Sequence, residues 1–165
     1  MTYTAPGGQA FASKAWSLSK KLTSELSLID SELDAIESNI TVARVALAGG
    51  AANAFAFAWQ NPETTKIIVT RVVVDVTTKG AVSGALLDVG PGAAATTHSD
   101  TLIDGLDIAT AVICADNITN IGSNGLSLCK LDENGGTTDF ITGQILVQAA
   151  TALAGYAYIF YNKVS

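Results

Sequence analysis

Residues 22–40 carry an apolar stripe, Leu22, Leu26, Ile29, Leu33, Ile36 and Ile40, with gaps alternating between four and three. This is the spacing of a coiled-coil heptad, and one copy of a helix cannot bury such a stripe. The helix must find partners, either further copies of itself or the remainder of its own chain. Leu26, Leu33 and Ile40 take the first core position of the heptad, and Leu22, Ile29 and Ile36 the second. Leucine at the first with isoleucine at the second shifts the preference from dimers toward trimers or tetramers. These six residues are therefore the candidate oligomerisation residues, and a homotrimer is the favoured assembly.

The stripe lies in a helix expected over residues 10–40. Residues 1–9 before it, MTYTAPGGQ, are small, polar and broken by Pro6-Gly7-Gly8, which predicts a flexible arm that orders only by docking. Within the helix Lys14, Lys20 and Lys21 come early, and Glu25, Asp30, Glu32, Asp34 and Glu37 follow. That order is opposite to what the helix macrodipole prefers. Either the basic half faces an acidic partner surface, or the charges line a solvated face.

After Ile40 the period changes from helical to alternating, and residues 41–165 read as a β domain. Phe55, Phe57 and Trp59 alternate with Ala54, Ala56 and Ala58. In the following long strand Ile68, Thr70, Val72, Val74 and Val76 are expected on one face, with Arg71 and Asp75 on the other. A short strand at 85–89 ends at Gly90-Pro91-Gly92. Residues 92–110 show no clear strand and read as a long connection. Weaker strands follow at 112–115 and 126–131. The turn Asp132-Glu133-Asn134-Gly135-Gly136 is expected to join 126–131 and 138–148 as a hairpin. The last strand alternates Tyr156, Tyr158 and Phe160 with Ala157, Ile159 and Tyr161. Seven or eight such strands predict a mainly β chain: an N-terminal coiled-coil-like helix, then an antiparallel β-sandwich, plausibly a jelly roll. No internal repeat supports a solenoid or propeller.

Composition narrows the partners. Only 15% of the residues are charged, against about a quarter in average globular chains, which fits a surface covered within an assembly. Net charge is -6, and nine Lys and Arg form no basic run longer than Lys20-Lys21. Neither nucleic acid nor an acidic membrane face is therefore an expected partner. The longest apolar stretch, residues 42–59, is interrupted by Arg44, Gly49, Gly50 and Asn53, so a soluble chain is expected. The N-terminus has no basic flank or apolar core of signal-peptide type.

No catalytic constellation emerges. His98 is the only histidine, with Ser99 and Asp100 beside it in the same loop, and adjacent residues rarely converge on one reacting atom. Asp100, Asp104, Asp107 and Asp116 have oxygens suited to calcium but lack the Asp/Asn ladder of a dedicated loop, and turn capping is the plainer reading. Gly90, Gly92 and Gly105 lack the strand–GxGxxG–helix context of a phosphate loop. Trp59, Tyr156, Tyr158 and Tyr161 could stack on sugars, though strand alternation favours packing. Cys114 and Cys129 read as buried small hydrophobes rather than a disulfide. No enzymatic activity, cofactor or metal is expected.

Several phrases carry a resemblance: TRVVVDVTT at 70–78, DVG at 88–90, LIDGLD at 102–107, DNITNIGSNG at 116–125 and LDENGGTTDFITG at 131–143. With the aromatic last strand, they resemble a β module of tailed-bacteriophage virion proteins. The helix and arm lie outside that pattern, and their layout is similar to trimeric capsid decoration (cement) proteins and to head or tail fibres. The resemblance implies a non-enzymatic, homotrimeric structural component of the virion that bridges major capsid protein subunits and stabilises the shell. Tyr3, Pro6, Phe11, Lys14, Lys20 and Lys21, on the arm and the basic part of the helix, would then be the capsid contacts. The alternative it implies is a fibre or receptor-binding module recognising host-surface carbohydrate.

Overall fold

The computed structural model describes residues 8–37, 40–109, 113–120 and 125–164, with helical side chains described over residues 16–32. Contacts separate two compact units, Met1–Asn39 and Ile40–Ser165. In the first, α1 runs from Gly8 to Glu37, as its Leu, Lys, Glu and Ala content favours. Hydroxyls fold back on the helix: Thr23 Oγ1 donates to the Ser19 carbonyl at 2.9 Å and Ser31 Oγ to that of Leu28 at 2.8 Å. Its first turn holds no acid and its last turn no base, so side chains at its ends leave the macrodipole uncompensated.

The expected boundaries shift at both ends. Gly8 and Gln9 belong to the helix rather than to the arm. Ile40 lies beyond Glu37, next to the first strand, so it is not a member of the helical seam. Leu33 and Ile36 are on α1, but their side chains, like those of Phe11 and Lys14, lie outside the described residues. Tyr3, Pro6 and the rest of residues 1–7 also lie outside them.

The second unit contains β1 (Thr41–Ala48), β2 (Phe55–Gln60), β3 (Ile67–Thr78), β4 (Leu86–Gly92) and β5 (Ile103–Asp107). β6 (Cys114–Asp116), β7 (Cys129–Leu131), β8 (Phe140–Leu146) and β9 (Ala154–Lys163) complete it. One sheet has the order β1-β9-β3-β6, with β7 also paired to β3, and the other β2-β8-β4-β5. All pairings are antiparallel. Apart from the short β7, the chain changes sheet at every connection except β4 to β5. That alternation, with these two strand orders, is the jelly-roll topology of two Greek keys. The expected mainly β chain, an N-terminal helix followed by an antiparallel sandwich, is what the structure shows.

The core lies between the two inner faces, because alternate residues on each strand point inward. The first sheet contributes Leu47, Val69, Val72, Val74, Val76, Ala157, Ile159 and Tyr161, and the second Phe57, Leu87, Val89, Ile141 and Ile145, all buried. Trp59 and Tyr161 meet with ring centroids 5.3 Å apart. Phe57 lies over Gly143, where an added Cβ would stand 2.2 Å from the Phe57 ring carbon Cε1. Gly155 has φ +151° and sits where a Cβ would meet the Asp75 carbonyl oxygen at 2.0 Å. Glycine at these two positions lets a ring and a strand approach closely.

Three expectations about the strands are corrected. A β-bulge between Val69 and Arg71 reverses the alternation of β3, so Ile67 and Val69, then Val72, Val74 and Val76, are buried. Ile68 and Thr70 do not share that face. Residues 92–110 contain β5, whose inward Ile103 and Leu106 are three apart because its register with β4 shifts between Leu87 and Val89. The Asp132–Gly136 turn does not close a hairpin: β7 pairs with β3 and β8 with β2 and β4. The turn instead carries the chain from one sheet to the other. Buried Asn61 ties it down, donating through Nδ2 to the Thr65 and Asp132 carbonyls at 3.1 and 2.7 Å and accepting the Glu63 amide at 3.0 Å.

Gly143→Ala should destabilise the head by about 2 kcal/mol, because Phe57 cannot clear a new methyl without leaving its place in the core. The check is a lower denaturant midpoint at unchanged slope. An unchanged midpoint would show that the ring turns aside without loss.

Candidate functional site

Three surfaces bring together the residues with chemical or binding potential. The first is the helical seam. Leu22, Leu26 and Ile29 are 66%, 58% and 56% exposed, and burying each such side chain is worth about 1.5–3 kcal/mol. Trp16, Leu18 and Leu28 are exposed on the same helix, an apolar area that the heptad spacing did not single out. The Lys20 ammonium sits 4.2 Å from the centroid of the Trp16 ring, and Lys21 pairs with Glu25 at 3.8 Å. Both lysines are thus engaged along the helix, and an exposed pair of this type contributes a few tenths of a kcal/mol.

The second surface is on the outer face of the β2-β8-β4-β5 sheet, under the loop of residues 93–102. Asp88 on β4 points outward, yet it is 2% exposed because the loop folds back over it. Its Oδ1 accepts the Gly105 amide at 2.7 Å, and its Oδ2 lies 2.8 Å from His98 Nε2, whose N–H donates to it. Thr142 Oγ1 donates to the Thr97 carbonyl at 2.7 Å. Gly90 admits the loop, since a Cβ there would meet Ser99 Oγ at 2.3 Å. Asp88, Asp100 and Asp104 bring carboxylate oxygens within 4.8 Å of one another.

Three converging carboxylates are donors of the kind a hard divalent cation takes, but such a cation wants six to eight oxygens. Both Asp88 oxygens already accept bonds from this chain. The arrangement is a clasp that holds the loop on the sheet. The four acids that the sequence grouped are divided: Asp100 and Asp104 join Asp88, Asp107 accepts the Ala109 amide at 2.8 Å, and Asp116 belongs to the other sheet. His98 reaches Asp88 on the strand beneath, and the Ser99 hydroxyl bonds that of Thr101. Asp88 escaped notice because it stands inside a strand, ten residues from its histidine.

The third surface is the outer face of the β1-β9-β3-β6 sheet. Strand register aligns Val42, Phe160 and Arg71 in one row, then Arg44, Tyr158 and Val73, then Ala46, Tyr156 and Asp75. Tyr156, Tyr158 and Phe160 are half-buried, Val42 is 48% exposed and Arg44 is exposed. The Arg44 guanidinium lies 4.6 Å from the Tyr156 ring centroid, and the Tyr156 and Tyr158 rings stand 6.2 Å apart at 49°. The four aromatic candidates are thereby sorted. Tyr161 lies in the core with the half-buried Trp59 packed against it, while Tyr156 and Tyr158 face outward.

Asp116 closes this face at β6. It pairs with Arg71 and accepts the Thr119 and Ile118 amides and the Thr119 hydroxyl. The Thr119 amide, followed by the Arg71 guanidinium, holds its carboxyl well below the ordinary carboxylate range, against the opposing effect of burial. Buried Asn117 beside it accepts the Val72 amide at 2.7 Å and donates to the Ser127 carbonyl at 2.7 Å. Cys114 and Cys129 are both free. Cys114 is exposed, contrary to the buried role expected of it, whereas burial pushes the Cys129 thiol up to about 12. Among the described residues, no helix is long and apolar enough to cross a membrane.

The chain matches no protein-family model, no curated protein and no solved structure. The jelly roll is therefore established here by strand order alone, and a fold of this breadth does not assign an activity.

Two substitutions test the clasp and the Asp116 anchor. Asp88→Ala leaves the Gly105 amide and His98 without their acceptor. It should cost about 1.5–3 kcal/mol and open residues 93–102 to limited proteolysis; protection equal to the parent chain would contradict the clasp. Asp116→Asn should lower stability at pH 7 by about 1.5 kcal/mol or more. Because its folded-state pKa is depressed, the carboxylate's contribution is complete above the unfolded value of about 4 and is lost as pH falls toward the folded value. The gap between variant and parent should therefore shrink progressively below pH of about 4 in denaturant titrations. A gap of constant size would contradict this assignment.

Proposed function

We propose that the chain is a non-enzymatic, homotrimeric structural protein of a tailed-phage virion, a capsid decoration or cement protein that stabilises the shell. The observation that carries this reading is a helix with an exposed Leu22–Leu26–Ile29 seam, covalently joined to a jelly-roll head. Copies of the helix can bury a seam of this kind together, and its leucine–isoleucine order favours three. A closed trimer presents three identical heads and arms, which suits attachment at a symmetry axis of a larger shell. Jelly rolls serve as rigid modules in viral capsids. Low charge over the whole chain agrees with a surface covered by neighbours.

Jelly rolls also occur in lectins, and one observation favours the fibre or receptor-binding reading: Tyr156 and Tyr158 lie outward on one sheet face. Against it, Arg44 already occupies a face of the Tyr156 ring. Val42, Ala46 and Val73 around the tyrosines offer no side-chain donors for sugar hydroxyls.

The double substitution Leu26→Asp/Ile29→Asp should reduce the mass in sedimentation from three times 16.9 kDa to that of one chain, while β circular dichroism persists. The parent chain should also co-sediment with assembled phage shells and protect them against heat or dilution. A parent chain that neither binds nor stabilises shells, but is retained by immobilised bacterial polysaccharide, would replace this reading with the receptor-binding one.

A further inference from the structure

The seam leaves a deficit that points to a second interface. The two heptad core positions before Leu22 are Ser19 and Ala15, and Ile40 lies beyond the helix. The apolar seam on α1 therefore runs only from Leu22 to Ile36, about two heptads. Self-sufficient coiled coils sustain the pattern over roughly three to four heptads, and durable protein interfaces bury about 1,200–2,000 Å². A durable trimer needs contact area from the heads as well.

The heads possess one face suited to supply it. The outer side of β1-β9-β3-β6 carries Phe160, Tyr158 and Tyr156 along its central strand, with Val42 and Val73 beside them. Aromatic residues and arginine are the types enriched in interface cores. The two sides of the β9 row also differ in charge: Arg44 stands on edge strand β1, while β3 across β9 carries Asp75 together with Arg71, whose charge is already paired with Asp116. Among the described residues neither Arg44 nor Asp75 takes part in an ion pair. Rotational threefold symmetry requires contacts of this unlike, head-to-tail kind, one flank of each copy meeting the other flank of the next.

We infer that the outer face of the β1-β9-β3-β6 sheet is the head-to-head interface of the trimer, with the Arg44 flank of one copy set against the Asp75 flank of the next. This rests on the trimeric reading above and adds the surface that completes it. Val42, Tyr158 and Phe160 become buried at the contact. The Arg44–Tyr156 stack then presents the guanidinium toward the neighbour's Asp75, pairing two charges that single chains leave in water.

The experiment is sedimentation equilibrium of the full chain over a concentration series, with far-UV circular dichroism to verify the fold of each variant. Arg44→Asp sets like charges against each other and should raise the concentration at which trimers dissociate by about tenfold or more. Asp75→Arg alone should do the same, and the double reversal Arg44→Asp/Asp75→Arg should restore the parental value. Tyr158→Ser/Phe160→Ser should weaken the trimer without changing the fold of the head. If the parent chain is trimeric, Leu26→Asp/Ile29→Asp dissociates it and all the face variants leave it unchanged, the head interface is wrong while the seam stands. Failure of the double reversal to restore association overturns the Arg44–Asp75 pairing. A parent chain that is monomeric at every concentration overturns both readings. If Tyr158→Ser/Phe160→Ser instead abolishes retention on immobilised bacterial polysaccharide with the trimer intact, the face belongs to sugar and the inference fails.

Discussion

Leu22, Leu26 and Ile29 hold more than half of their surface in water in a single chain, and the way that exposure is relieved decides the form in which the protein exists. At about 25 cal/mol per Å² of apolar surface, leaving such a seam wet forgoes a stabilisation of several kcal/mol. Nothing inside the helix offsets it. The side-chain hydroxyls bond back to their own helix, the terminal turns carry no charges that complement the macrodipole, and the exposed ion pair is weak. Burial against further copies or against the remainder of the chain is the remedy left, and on the proposed reading the arrangement of leucine and isoleucine favours three partners.

The head meets the opposite requirement, since it must be rigid without help. Its apolar interior is enclosed by two sheets whose strands alternate in a jelly roll, and polar side chains fix the segments that cross between layers. Asn61 holds the crossing from β7 to β8, Asn117 holds the segment after β6, and Asp88 clasps the loop after β4. Each is a buried group held by backbone amides and carbonyls and, for Asp88, by the His98 side chain as well. Removal of any one strands several partners, which makes such groups expensive to lose. These ties make the two outer faces dissimilar. One is covered by its own loop, and the other displays a row of aromatic side chains.

Much of this was legible from periodicity. The heptad seam, with the Pro6-Gly7-Gly8 break before it, located α1 to within a few residues at either end, and the strict alternation of 156–161 separated the inward Ala157, Ile159 and Tyr161 from the outward Tyr156, Tyr158 and Phe160. The failures have local physical causes. One inserted residue at the β3 bulge moved Ile68 and Thr70 off the face that simple alternation assigns them. β5 was hidden because its inward residues are three apart and Gly105 interrupts it at φ +70°. The Asp132–Gly136 turn has hairpin chemistry, yet the pairing of β7 with β3 decided its use, and that is a long-range choice no local motif reveals. The acidic grouping failed for a related reason: Asp88 reaches Asp100 and Asp104 only once the loop folds back, while Asp107 and Asp116 serve their own turns.

The most direct test of the central claim is the mass of the unmodified full chain in solution, measured by sedimentation equilibrium at several concentrations. Burial of the seam between copies predicts a species of three times the 16.9 kDa chain mass, dissociating only on dilution. A single species of 16.9 kDa at every concentration would contradict it and would mean that the stripe is buried within its own chain.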